Sequence, residues 1–238
     1  MYSFENSVVM ITGPTGNLGS AVVTAFRQAG AKLVLVDRHP NRLHKIYADL
    51  STSGDHFLAT SVEVTDPEAV GKMAAEAIER LGQIDILVNT VGGYRAGKPL
   101  HETSLETLDF MFKLNAQTIF NTCRAVIPFM IDQKHGKIIN VAAKPGLKGS
   151  KNSSAYSAAK SAVIRLTESM AAELKRQEIN VNCILPSVID TPENRAAMPN
   201  AAHNRWVTPQ SLADVILFLA SDAARDIHGA AIPVYGKM

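Results

Sequence analysis

The chain has 238 residues, 46% of them hydrophobic and 19% charged. That is the make-up of a folded globular protein with a large core, and it excludes global disorder. Lys and Arg total 24 against 22 Asp and Glu, a formal net charge of +2, so neither nucleic acid nor a membrane surface, both of which select clustered basic charge, is expected as a partner.

In chain order, residues 8–11 (Val-Val-Met-Ile) read as a buried strand, followed by a glycine-rich stretch, Thr12 to Gly19. Residues 17–28 carry Leu18, Val22 and Phe26 at helical spacing. Residues 33–36 and 57–64 are the next two strands. Residues 67–81 form a helix, with Asp66 as N-cap and Pro67 at its first position. A fourth strand at 86–88 leads to a long helix over 105–131, and a fifth at 138–141 to another over 154–175. A sixth strand at 181–185 is followed by a proline-rich stretch over 186–207 with little periodicity, read as a lid over a site. A helix over 209–221, capped by Thr208, and a strand over 230–235 close the series. The strands are too apolar for a sheet with one wet face, and their alternation with helices predicts a parallel sheet covered on both sides. With no linker or composition shift, one domain over 1–238 is expected, with a substrate loop at about 186–208.

No apolar run exceeds the six residues of 215–220, against the roughly 20 of a membrane span. The first residues lack the basic and apolar segments of a secretory signal. Cys123 and Cys183 are read as free buried thiols in a reducing cytoplasm, and the seven scattered histidines suggest no metal site.

The stretch Thr12-Gly13-Pro14-Thr15-Gly16-Asn17-Leu18-Gly19 joins the first strand to the first helix. Such a turn lets backbone N–H groups and the helix N-terminus meet a pyrophosphate, so Gly13, Thr15, Asn17 and Leu18 are candidate dinucleotide contacts. Asp37 ends the second strand, where a carboxylate accepts ribose hydroxyls and repels a 2′-phosphate. This favours NAD over NADP, although the neighbouring Arg38 is a natural phosphate partner. Tyr156 and Lys160, four apart on a predicted helix, share one face. An ammonium beside the phenol is expected to lower its pKa from about 10 and make it a proton donor and acceptor at working pH.

Together with Asn89-Thr90-Val91-Gly92, Asn115, Tyr156-Ser157-Ala158-Ala159-Lys160 and Pro186-Ser187-Val188-Ile189-Asp190-Thr191, these motifs resemble the short-chain dehydrogenases/reductases over essentially the whole chain. The resemblance implies an α/β, single-domain Rossmann fold with seven parallel strands and helices on both faces. It also implies hydride transfer between a nicotinamide and a small carbonyl or imine, with Asp37 favouring NADH before NADPH. It assigns catalysis to Tyr156, Lys160 and Asn115, with Asn115 holding a water in a proton relay. Cofactor contacts extend to Val64, Asn89, Gly92, Pro186, Val188 and Thr191, and Lys160 holds the nicotinamide ribose. A homodimer or homotetramer through the two longest helices is implied.

Four positions depart from the family pattern. Asn17 replaces a glycine, Glu63 an aspartate, and Ser187 the glycine after Pro186. The family's serine, 13 residues before the tyrosine, is Ala143 here. A missing donor at a developing oxyanion costs about 2.7–4 kcal/mol. Ala143-Lys144 with Gly149, and the segment from Asp190 to Arg195 with Met198-Pro199 and Trp206, locally resemble dihydropteridine reductases, which also lack that serine and reduce a quinonoid ring. Tyr94, Ala143 and Trp206 are the candidate substrate-lining residues. A pterin reductase of that kind is one alternative function, and a dinucleotide-binding regulator without turnover is the alternative from a different class.

Overall fold

A computed structural model describes residues 2–238. The apolar runs form strands β1 (Val8–Thr12), β2 (Lys32–Val36), β3 (His56–Ala59), β4 (Ile86–Asn89), β5 (Gly136–Val141), β6 (Ile179–Pro186) and β7 (Ala231–Val234). They pair in parallel in the order β3-β2-β1-β4-β5-β6-β7. The order reverses between β1 and β4, and in open α/β sheets ligands sit at such a reversal, beyond the carboxyl ends of the strands.

The helices are α1 (Asn17–Gln28), α2 (Pro40–Ile46), α3 (Pro67–Leu81), α4 (Leu105–Phe112), α5 (Thr118–Gln133), α6 (Lys144–Leu147), α7 (Ser154–Leu174), α8 (Pro192–Ala197) and α9 (Pro209–Ala220). Successive residues of a strand point to opposite faces. Val9 and Ile11 therefore join Leu18, Val22 and Phe26 of α1 and Leu212, Ile216 and Leu219 of α9 on one side. Val8 and Met10 join Val70 and Met73 of α3, Ile119 and Met130 of α5 and Val163 of α7 on the other. The expected cap of α3 is present, with the Asp66 carboxylate accepting from the N–H groups of Glu68 and Ala69.

Three expectations change. The third strand stops at Ala59, not residue 64, because Ser61 takes a positive φ of 59° and the N–H of Val62 turns back to the Asp37 carbonyl at 3.2 Å. The helix expected over 105–131 is a run of α4, a π-helical turn over Lys113–Gln117 and α5, and it ends at Gln133, where Lys134 is left-handed. The proline-rich stretch contains α8 and a 3₁₀ turn at His203–Arg205. The short helix α2 escaped prediction.

Asn89 and Asn140 face each other across β4 and β5. The Asn89 amide donates to Asn140 Oδ1 at 3.0 Å, Asn140 donates to Thr167 Oγ1 on α7 at 3.0 Å, and Thr122 Oγ1 on α5 donates to Asn89 Oδ1 at 2.8 Å. All four residues are buried. Asn140→Ala strands the Asn89 donor in the interior. It should lower unfolding stability by about 1–3 kcal/mol, read as a reduced urea midpoint at unchanged m value.

Candidate active site

The turn after β1 carries Gly13 with φ +67°, a left-handed conformation that glycine adopts without strain. A Cβ on Gly19 would lie 2.1 Å from the Gly13 carbonyl oxygen, so the turn closes onto α1 only because that side chain is absent. No side chain caps α1, which leaves its first N–H groups available to an anion. Leu18 is buried under the turn. Thr15 Oγ1 donates to Asp37 Oδ2 at 2.6 Å, and the His39 N–H donates to Asp37 Oδ1 at 2.8 Å, so this carboxylate is fixed at the end of β2. Arg38 lies 3.6 Å from Glu63, and its Nε donates to His39 Nε2 at 3.1 Å. Val64, on a loop and not on a strand, is buried, and its carbonyl accepts from Asn121 at 3.1 Å.

Three of the expected catalytic and cofactor residues converge beyond β4 and β5. A Cβ on Gly92 would sit 3.0 Å from Asn115 Oδ1 and 3.2 Å from Lys160 Nζ, so both side chains close on this one glycine. Asn115 lies in the π-helical turn and is fully buried. Its amide donates to the carbonyls of Met111 at 3.0 Å and Gly93 at 3.1 Å, and its Oδ1 accepts from the Gly93 N–H at 3.1 Å. Lys160 Nζ donates to the Val141 carbonyl at 2.8 Å. Burial holds this lysine down at about 8.

Tyr156, one turn before Lys160, behaves differently from expectation. Burial first, and the nearby Tyr94 phenol second, push it up to about 12. The expected lowering by Lys160 is absent because the ammonium is directed at Val141. The ring of Tyr94 meets that of Tyr156 edge to face, with centroids 4.8 Å apart and planes at 84°.

Other expected residues are arranged less directly. The Asn89 side chain turns into the sheet interior and does not join this cluster. Pro186 closes β6. The Val188 carbonyl accepts from the Val207 N–H at 3.2 Å, and Thr191 Oγ1 caps α8 by accepting from the Asn194 N–H at 3.2 Å. Ala143 is buried just before α6, and neither it nor Ala142 offers a hydroxyl. Trp206 is only 7% exposed and packs against His203, so it is a core residue and no open platform. Several contacts were not foreseen. Arg42 donates to the Thr15 carbonyl at 2.7 Å, Tyr47 to the Pro14 carbonyl at 2.7 Å, and Asn17 to Glu193 Oε2 of α8 at 2.8 Å. Arg42 belongs to α2, whose single turn or two carries too little periodicity to be read. Among the described residues no group of His, Cys, Asp and Glu could hold a metal ion, and no helix is long and apolar enough to cross a membrane.

The profile of the short chain dehydrogenases matches residues 7–202. The chain belongs to the short chain dehydrogenase family. The 7alpha-hydroxysteroid dehydrogenase of Bacteroides fragilis is 32% identical over 252 residues, covering 100% of this chain and 96% of that one. The meso-2,3-butanediol dehydrogenase of Serratia marcescens is 34% identical over 241 residues, covering 98% and 94%. Among solved structures, a crystal structure of NAD+-bound xylitol dehydrogenase superposes with a TM-score of 0.87 at 26% identity, covering 98% of this chain and 99% of that one. These short chain dehydrogenases do not show the segment-level resemblance to dihydropteridine reductases, and the broader oxidoreductase reading is the one they support.

The buried lysine gives stability a pH signature. Below about 8, folding pays for desolvating an ammonium. Between about 8 and the ordinary 10.5, the folded chain has released a proton that the unfolded chain still holds, so stability rises with pH. Urea unfolding of wild type and Lys160→Met from pH 7.5 to 9.5 should show a rise in the wild type that the variant lacks.

Proposed function

We propose that this short chain dehydrogenase is an NAD(H)-dependent oxidoreductase that transfers hydride between a nicotinamide and the carbon of a small carbonyl or imine. The closing of Asn115 and Lys160 on Gly92, with Tyr156 one helical turn from Lys160, carries this reading. The residues present fit a dinucleotide: uncapped N–H groups at α1, a turn stripped of side chains at Gly13 and Gly19, and a fixed carboxylate at Asp37. Gly13, Thr15, Asn17 and Leu18 would hold its phosphates and Asp37 its adenosine ribose. Val64 would border the adenine, and the backbone at Asn89 together with Gly92, Pro186, Val188 and Thr191 would line the nicotinamide half. The bound nicotinamide supplies or accepts the hydride.

Tyr156 gives its phenolic proton to the substrate heteroatom. A phenol held near 12 stays protonated at neutral pH, which suits the reductive direction. Lys160 orients the ribose and steadies the phenolate left behind, and Asn115 holds a water through which the proton is replaced. Arg38 is engaged by Glu63, which weakens its claim on a 2′-phosphate and supports NADH over NADPH. Leu105, Phe112 and Phe120 are exposed on the α4–α5 run, so a second copy through the long helices, as a dimer or tetramer, is part of the proposal. So are one domain over 1–238 and a cytoplasmic setting, in keeping with two free buried cysteines.

Two experiments test this. In a turnover assay that follows NADH absorbance with ketones, diketones and quinones, Tyr156→Phe should lower kcat by at least about 10²-fold with NADH affinity nearly unchanged. NADH binding without oxidation across the panel would favour the regulator reading. In fluorescence titrations of both dinucleotides, NADH should bind the wild type more tightly, and Asp37→Ala should narrow the gap. Tighter NADPH binding by the wild type would overturn the cofactor assignment.

A further inference from the structure

We propose that Tyr94 is a catalytic residue whose hydroxyl donates a hydrogen bond to the reacting oxygen beside Tyr156, in the role left empty by Ala143. The proposal rests on the hydride-transfer reading above and adds a residue to it. In carbonyl reduction a hydride forms the new C–H bond, the C=O electron pair moves onto oxygen, the Tyr156 proton passes to that oxygen, and the dinucleotide is oxidised. Tyr94 keeps its proton throughout and shares it with the developing oxyanion, where a preorganised donor acts most strongly.

The hydroxyls nearest in sequence are committed elsewhere. Ser150, Ser153 and Ser157 bond to one another, and Ser153 also donates to the Ser150 carbonyl. Ser154 Oγ is buried without a hydrogen-bond partner, in the wall of a cavity lined by Arg95, Thr103 and Thr107. The Tyr94 ring, by contrast, lies edge to face against Tyr156 at 4.8 Å and is 70% exposed, so it is not committed to the core.

Exposed side chains are usually poor donors because they wander. Tyr94 is held on both sides. Gly93 before it is clamped by Asn115 through its N–H and its carbonyl, each at 3.1 Å. Arg95 after it lies over the Phe110 ring at 4.2 Å, and the Gly97 N–H is tied to the Asn152 carbonyl at 2.8 Å, just before α7. The same Asn115 that closes on Gly92 beside Lys160 thus also fixes the backbone that carries Tyr94. The Tyr94 phenol adds to burial in raising Tyr156, in keeping with the contact of the two rings.

The test uses the full chain with NADH and a small α-diketone, in wild type, Tyr94→Phe, Ala143→Ser and the double variant. Tyr94→Phe keeps the ring and should lower kcat by about 10²–10³-fold with NADH affinity unchanged. Ala143→Ser should raise kcat at least tenfold more in the Tyr94→Phe background than in the wild type, since the two hydroxyls serve one role. Apart from turnover, spectrophotometric titration of the phenols should show Tyr156 ionising at lower pH in Tyr94→Phe. A raised KM at unchanged kcat would make Tyr94 a ring platform and overturn the proposal, as would equal gains from Ala143→Ser in both backgrounds. Loss of turnover in Tyr156→Phe with full rate in Tyr94→Phe would overturn it and leave the hydride-transfer reading intact. No NADH oxidation by the wild type would end both.

Discussion

A buried ammonium without a carboxylate partner governs the arrangement of this site. Lys160 is 4% exposed, and its hydrogen bond goes to the Val141 carbonyl. Burying an unpaired charge is expensive, and proteins either pair it or shift its protonation. Here the protonation shifts, and the cost is met by geometry at the end of β5. The side chain needs a neighbour with no bulk, which is Gly92, and a Cβ there would also meet the Asn115 amide oxygen, which the Gly93 N–H engages. Asn115 reaches this place from a π-helical turn, a local widening that often marks functional positions. One charge thereby couples β5, α7, the loop after β4 and the long helical run.

The fold was legible because its signals are periodic and local. Asp66-Pro67 and Thr208-Pro209 marked helix starts by cap chemistry that the structure reproduces. Apolar strands bounded by polar residues needed no long-range information. What failed needed tertiary contact. Residues 60–64 alternate polar residues with Val62 and Val64 in a strand-like pattern, but the Val62 N–H turns back to the Asp37 carbonyl and breaks it. The shared face of Tyr156 and Lys160 was readable from spacing alone, whereas the direction of the ammonium depends on the Val141 carbonyl, nineteen positions away in the chain. Trp206 is a candidate lining residue in sequence because sequence carries no burial, whereas the structure buries it against His203.

The departures from the family pattern are connected in the structure. Asn17, in place of a glycine, uses its amide to hold Glu193 of α8. Glu63 engages Arg38. Ser187 Oγ donates to the Tyr235 carbonyl at 2.8 Å, joining the end of β6 to the chain beyond β7, and Tyr235 in turn lies under the Lys144 ammonium at 4.8 Å. Each changed side chain that can form a polar contact forms one with another loop of the site. Ala143 cannot, so its effect has to be answered by a neighbouring group and not by a new bond of its own.

These contacts bear on the stretch over 186–207, which the sequence suggests as a lid. A stretch of some twenty irregular residues would lose considerable conformational entropy on closing over a ligand, of order 1 kcal/mol or more for each residue fixed. This stretch is already organised from within. Arg195 grips Asp190 through two nitrogens at 2.5 and 2.8 Å, Asn194 donates to the Ile189 carbonyl at 2.8 Å, and Ile189 bridges Val207. With these bonds in place, the segment has less conformational entropy left to lose if it orders around a ligand. The bond from Asn17 to Glu193 joins that segment to the turn after β1. A glycine at position 17, as the family pattern has it, would offer no side chain for that link.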